Sequence, residues 1–335
     1  MNYIGSKQTL IPFITSVVET VVGKDLSDKV FCDIFAGTGA VGRAFKPRVK
    51  KVIANDWEYY SYVLNRNYIG NHLRLDGADA LIDELNNIQP LDSGFIYVNY
   101  CPGNGSGRNY FSDENGKRID AIRVQIENWK EERAITEDVY YFLLASLLES
   151  ADKVANTASV YGAFLKHLKK TAQKPLLLTP ALFSVNANTH EVFQEDANTF
   201  INKVQGDILY LDPPYNARQY GANYHLLNTI AEYKPFIPKG KTGLRDNYRR
   251  SSYCSKKAVP SLFESLIKSA RFKYIFLSYN NEGLMPMSFI RSLMQKYGRY
   301  ELASQEHTRF RADREDRRNY RADKTTEYLH ILEKY

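Results

Sequence analysis

Short apolar runs recur along the chain, separated by turn-forming or charged residues. Seven of them, at residues 30–35, 51–55, 190–194, 207–211, 273–279, 300–305 and 327–332, have the length and apolar content of strands. The run Asp207-Ile208-Leu209-Tyr210-Leu211 is apolar almost throughout rather than alternating. That pattern belongs to a strand covered on both faces, as in a parallel sheet. Near the start, Leu10, Ile11, Phe13, Ile14, Val17 and Val18 fall on one helical face. Helical patterns also connect the early strands. This alternation predicts an α/β fold with a doubly wound, mostly parallel sheet. A charged stretch, 309–324, joins the last two strands and predicts an antiparallel pair at the sheet's edge.

More chain separates the second and third strands than one crossover helix requires. Residues 71–187 therefore read as an inserted, mainly helical domain, and 1–70 with 188–335 as the sheet-bearing one. Within the insertion, 135–154 carries a long helical pattern. Cys101-Pro102-Gly103-Asn104-Gly105-Ser106-Gly107 reads as a flexible loop, because it lacks the Gly-Lys-Ser/Thr ending of a phosphate-binding P-loop.

With 335 residues, the chain has ample core for one large or two modest domains. Lys and Arg outnumber Asp and Glu by 45 to 38, and the net charge of +7 suits a polyanionic partner. Basic residues gather at 239–257, where Lys239, Lys241, Arg245, Arg249, Arg250, Lys256 and Lys257 face a single acid, Asp246. Tyr248 and Tyr253 interleave them, a combination suited to phosphate contact and base stacking. In 309–324, by contrast, Asp313, Glu315, Asp316 and Asp323 neutralise much of the arginine charge. Cys32, Cys101 and Cys254 have no metal spacing and cannot all pair, so a reducing cytosol is the expected compartment. The six histidines form no His-Glu-x-x-His or Cys/His cluster, and no metal is expected. No apolar run reaches membrane-spanning length, and 11–22 lacks the cleavage site of a signal peptide.

Two segments carry candidate chemistry. Asp33-Ile34-Phe35-Ala36-Gly37-Thr38-Gly39-Ala40-Val41-Gly42 follows the first strand and precedes a helical pattern, the setting of a ligand loop in a Rossmann-like sheet. Asp56 ends the second strand, about 20 residues past the first glycine, where an acid binds ribose hydroxyls. A nicotinamide or flavin enzyme and an S-adenosylmethionine (AdoMet) enzyme both need these features. Asp212-Pro213-Pro214-Tyr215 closes the fourth strand, at the sheet end where open α/β folds bind ligands. The prolines fix the backbone and remove two donors, leaving carbonyls to accept hydrogen bonds. An acid before them and an aromatic ring after them suit a planar ring bearing an amino group.

Together with Asn2-Tyr3-Ile4-Gly5-Ser6-Lys7 at the start, these motifs resemble one family. The chain is similar to AdoMet-dependent adenine-N6 DNA methyltransferases of the DNA adenine methylase (Dam) type, over residues 1–70 and about 188–335. Tyr3 stands where some members have Trp. The resemblance implies that Tyr3, Lys7, Asp56 and Asp212 contact AdoMet and that the loop with Phe35, Gly37 and Gly39 lies beneath its methionine part. It also matches Asp196 to an acid that meets the cofactor's adenine, with Glu195 or a backbone group as alternatives and a helix N-cap as the plainer role. Asp212, Pro213 and Tyr215 would carry catalysis on an adenine flipped out of double-stranded DNA, leaving S-adenosylhomocysteine as product. The insertion would be the target-recognition domain, and Arg245, Arg249, Arg250, Lys256 and Lys257 would meet DNA. Arg108, Lys117, Arg118, Arg123, Lys166, Lys169 and Lys170 are further candidates in the insertion. A separately encoded restriction endonuclease and a prokaryotic or phage-like setting would accompany such an enzyme. Cytosine N4, RNA and a non-catalytic DNA-binding module remain open on the motifs alone.

Overall fold

The computed structural model describes residues 5–163, 165–308 and 324–335. Its sheet has seven strands: β1 Val30–Asp33, β2 Lys51–Asn55, β3 Glu191–Phe193, β4 Gln205–Leu211, β5 Arg271–Asn280, β6 Gly298–Thr308 and β7 Lys324–Lys334. Their order is β3-β2-β1-β4-β5-β7-β6. The pairs from β3 to β5 are parallel, and β7 runs antiparallel to both β5 and β6. The doubly wound α/β fold expected from the apolar runs is therefore present, with its antiparallel pair at one end. Those two strands are longer than the apolar runs alone indicate. Their pairing continues from Gly298↔Lys334 to Thr308↔Lys324, because backbone hydrogen bonds extend a hairpin across polar residues. The charged link between them, residues 309–323, lies outside the described residues, as does Tyr3.

Strand order reverses around β1, which lies between β2 and β4. Such a switch point opens a crevice at the carboxyl ends of the flanking strands. Phe31, Cys32, Ile208, Leu209, Tyr210 and Leu211 are buried, as expected of strands covered on both faces.

The chain forms two compact units. One comprises Gly5–Trp57, Asn186–Gln219 and Arg250–Tyr335 and contains the sheet. The other comprises Met1–Ile4, Glu58–Val185 and Tyr220–Arg249 and is helical among its described residues. Its core is built on the helices Asp113–Glu131 and Glu137–Lys153, capped at their N-termini by the Ser112 and Thr136 side chains. The helical unit thus differs from 71–187: it begins at Glu58 and takes in Tyr220–Arg249. Packing accounts for that membership. Asn228 accepts from the Tyr60 amide at 3.0 Å, Arg123 donates to the Ile230 and Ala231 carbonyls, and the Tyr100 hydroxyl donates to the Gly243 carbonyl at 2.7 Å.

Candidate active site

Three strand ends in the sheet unit each present an acid. Asp33 is the last residue of β1, Asp56 follows β2, and Asp212 follows β4. Between the first two runs the glycine loop. Gly37 and Gly39 have φ of 53° and 78°, in the left-handed region that favours glycine. The Asp56 carboxylate accepts the Gly37 amide at 2.8 Å, and the Gly39 amide reaches the Ala36 carbonyl at 2.8 Å. Asp56 therefore braces the turn, and Gly39 stands at the N-cap of the helix Ala40–Phe45.

Lys7 links the start of the chain to the end of β4. Its Nζ lies 2.9 Å from Asp212 Oδ1 and 3.3 Å from Glu327 Oε1 on β7. The Ser278 hydroxyl on β5 donates to the same Glu327 oxygen at 2.7 Å. Lys7 is only 6 % exposed, so its ammonium depends on these oxygens in place of water. Burial alone would lower its pKa, but Asp212 and Glu327 hold it well above the ordinary lysine value. Burial pushes Asp212 up to about 6; Lys7 opposes that rise and Glu327 adds to it.

Asp33 is 1 % exposed, and its Oδ1 has no hydrogen-bond partner among the described residues. Burial first, then the charges of Asp212 and Asp56, raise its pKa well above the carboxylate range, while amides of the glycine loop oppose the shift. Two carboxylates, Asp212 and Glu327, thus share one lysine, and Asp33 interacts with Asp212 and Asp56. Two carboxylates on one ammonium leave a negative excess that fits a cationic small molecule. No group of three or more His, Cys, Asp or Glu side chains able to hold a metal ion occurs among the described residues.

The remaining candidates have definite places. Asp196 Oδ1 accepts the Asn198 and Thr199 amides at 3.0 and 3.1 Å, capping the short helix Ala197–Phe200. Phe35 packs edge-on against Tyr253 at 5.0 Å, and the Tyr253 hydroxyl donates to Asn198 at 2.7 Å. Pro213 is buried and Tyr215 half-buried, with the Tyr215 carbonyl accepting the Leu284 amide at 3.0 Å. Among the basic residues, Arg245 pairs with Glu232 at 2.6 Å and lies over the Phe236 ring, and Arg249 is 3.8 Å from Glu232. Arg250, Lys256 and Lys257 are exposed. In the insertion, Arg123 is buried against Glu127, Lys117 pairs with Asp92, and Arg108 donates to the Asn99 and Gly240 carbonyls.

Sequence reasoning missed Glu327; it took Asp33 only as the start of the glycine loop and read Tyr253 as a base-stacking ring, whereas Tyr253 is buried against Phe35. A signal for Glu327 existed: it shares a strand face with buried Leu329 and Ile331, and an acid on such a face needs a partner.

Comparison with known proteins agrees with the geometry. The family model for D12 class N6 adenine-specific DNA methyltransferases matches residues 3–293. The chain is 63 % identical over 334 residues to the type II methyltransferase M.NlaIII of Neisseria lactamica, covering 100 % of this chain and 99 % of that protein. It is 39 % identical over 319 residues to M.CviAII of Paramecium bursaria Chlorella virus 1, covering 93 % of each. It is also 41 % identical over 308 residues to M.FokI of Planomicrobium okeanokoites, covering 89 % of this chain but 47 % of that protein, so it spans about half of M.FokI. A carboxylate and two prolines at the end of β4, beneath an acid-rich switch point, thus occur in a chain that belongs to the D12 class of N6 adenine-specific DNA methyltransferases.

Proposed function

We propose that AdoMet is the methyl donor, that the target adenine is flipped out of double-stranded DNA, and that Asp212, Pro213 and Tyr215 carry the reaction. The activity itself, site-specific methylation of adenine N6 in DNA, follows from the family and from its type II relatives. With it, the nicotinamide, cytosine, RNA and non-catalytic readings fall away. The observation that carries the proposal is the buried Lys7–Asp212 pair at the switch point, 2.9 Å apart, with the Asp33 carboxyl interacting with Asp212.

An adenine amino nitrogen is a weak nucleophile because its lone pair is delocalised into the ring. The Asp212 carboxylate and the Pro213 carbonyl accept its two N–H bonds, draw the nitrogen toward tetrahedral geometry and aim the lone pair at the donor. Bound AdoMet supplies an electrophilic methyl on a sulfonium. Preorganised acceptors and positioning do the catalytic work, and no covalent enzyme intermediate is needed. Flipping the base costs a few kcal/mol, and stacking on Tyr215 returns roughly 1–3 kcal/mol. In the same reading Lys7, Asp56 and the loop of Phe35, Gly37 and Gly39 hold the donor, while Asp56 divides its oxygens between the Gly37 amide and a ribose. Asp196 completes the donor site while still capping its helix; the resemblance implies a donor contact for Tyr3 as well, which lies outside the described residues.

The helical unit is assigned to target recognition, and Arg250, Lys256 and Lys257 to phosphate contact. Arg245 and Arg249 would join them from beside Glu232, Arg245 with part of its guanidinium already on that carboxylate. A separately encoded endonuclease would complete a restriction–modification pair. Relatives come from bacteria and a virus, and no described helix is long and apolar enough to cross a membrane. The test is to express the chain in a methylation-free host and sequence its DNA with modified-base detection. N6-methyladenine at one recurring motif supports the reading, and unmodified DNA overturns it.

A further inference from the structure

Glu327 has no part in the chemistry derived above, yet it is the second carboxylate on Lys7. We propose that Glu327, held by Ser278, is a positioning residue that shares Lys7 with Asp212 and leaves the two carboxylates one negative charge in excess for a cationic donor. The inference rests on the reading of AdoMet as donor and Asp212 as amino-group acceptor.

The geometry makes the sharing specific. An ammonium has three hydrogens and can donate to both carboxylates at once. Lys7 Nζ is 2.9 Å from Asp212 Oδ1 and 3.3 Å from Glu327 Oε1, so one Asp212 oxygen is engaged by Lys7. Glu327 Oε1 also accepts the Ser278 hydroxyl at 2.7 Å, which fixes the carboxylate against β5. Strand register explains the meeting: β5 and β7 pair antiparallel, with Ser278 opposite Leu329 and Asn280 opposite Glu327. The titratable or polar groups interacting with this centre are Asp33 on β1, Asp56 after β2, Tyr210 on β4, Tyr215 after it, Ser278 on β5 and Glu327 on β7. Lys7 is the cation on Asp212 and Glu327 and also acts on Tyr210 and Tyr215, with Arg218 acting on Tyr215 as well.

Two consequences follow. Glu327 repels charge on Asp212, so its removal makes Asp212 easier to ionise. It also contributes to the negative field that distinguishes a sulfonium from the uncharged sulfur of S-adenosylhomocysteine. Glu327→Gln keeps an oxygen able to accept from Lys7 and Ser278 but removes the charge.

The experiment compares wild type, Glu327→Gln and Ser278→Ala as full chains, with thermal melting to verify folding. Calorimetry gives affinities for AdoMet and S-adenosylhomocysteine, and single-turnover methylation gives rate against pH. For Glu327→Gln, affinity for AdoMet should fall on the order of tenfold more than affinity for S-adenosylhomocysteine. The acid limb of the rate profile should move down by about one pH unit. Ser278→Ala retains the charge, so it should preserve the affinity ratio while slowing transfer. An unchanged ratio with an unmoved acid limb in Glu327→Gln overturns the inference. If that variant does not fold, a wild-type transfer rate in Ser278→Ala overturns it instead. Wild type that fails to bind AdoMet or to methylate adenine would refute the parent reading; an active wild type with an unaltered variant refutes this inference alone.

Discussion

At the scale of single residues, charge and burial set what Asp212 can do. It follows the end of β4, and its proposed role as acceptor needs the carboxylate form. Asp212→Ala should abolish methyl transfer and, by leaving buried Lys7 to Glu327 alone, also lower stability. Retention of more than about a tenth of the activity, under roughly 1.4 kcal/mol of barrier, would remove it from the mechanism. Its pKa is raised by burial to about 6, and a bound cation favours the ionised form. AdoMet affinity should therefore be full above that value and weaken as pH falls through it. Binding near pH 6 should also release protons, since the cation pulls the Asp212 pKa down. Calorimetry in two buffers of different ionisation enthalpy measures both effects; proton uptake would contradict the sign. For Asp33, by contrast, burial first and then its acidic neighbours raise the pKa well above the ordinary carboxylate value.

At the scale of elements, loops act through the backbone groups they satisfy. Asp56 braces the turn after β1 by accepting the Gly37 amide. Asp56→Ala should weaken AdoMet binding at least about tenfold, roughly 1.4 kcal/mol, and DNA binding much less; an unchanged cofactor affinity by calorimetry would take Asp56 out of the donor site. Asp196 caps the helix Ala197–Phe200 through one oxygen. Asp196→Ala should lower stability by about 1 kcal/mol, and Asp196→Asn, which retains an accepting oxygen, should recover most of it. Denaturant titration of both variants checks this, and equal losses would show that the cap oxygen does not matter. The basic loop shows the opposite limitation of sequence. Its arginines look equivalent in order along the chain, but Arg245 is committed to Glu232 at 2.6 Å while Lys256 and Lys257 are exposed.

At the scale of the whole molecule, the net charge of +7 sets how the protein meets DNA. Non-specific affinity comes mainly from neutralised phosphates, and specificity from base contacts. Replacing Lys256 and Lys257 with Gln should weaken binding to all duplexes alike. Each lost phosphate contact should reduce the slope of log affinity against log salt by about 0.9 in magnitude. Sequence preference should survive, because it is assigned to the helical unit. Titrations at several salt concentrations on target and scrambled duplexes measure both quantities. An unchanged slope would make these lysines a solvated surface, and relaxed preference would make the loop a base reader.

The sequence by itself determined the strands, the glycine turn and the Asp-Pro-Pro-Tyr strand end. Each is local: apolar periodicity, left-handed glycines and proline restraint act over a few neighbouring residues. From the length of chain between Asp56 and Asp196 it also predicted an insertion at 71–187, while the helical unit runs from Glu58 and takes in Tyr220–Arg249. Tertiary structure alone decided that β7 lies between β5 and β6 and that Tyr220–Arg249 joins the helical unit. It likewise decided that Lys7 would meet both Asp212 and Glu327. Those choices depend on pairings between segments far apart in the chain. A buried charge is stable only where such a pairing supplies its partner, and local patterns carry no record of which distant residue that will be.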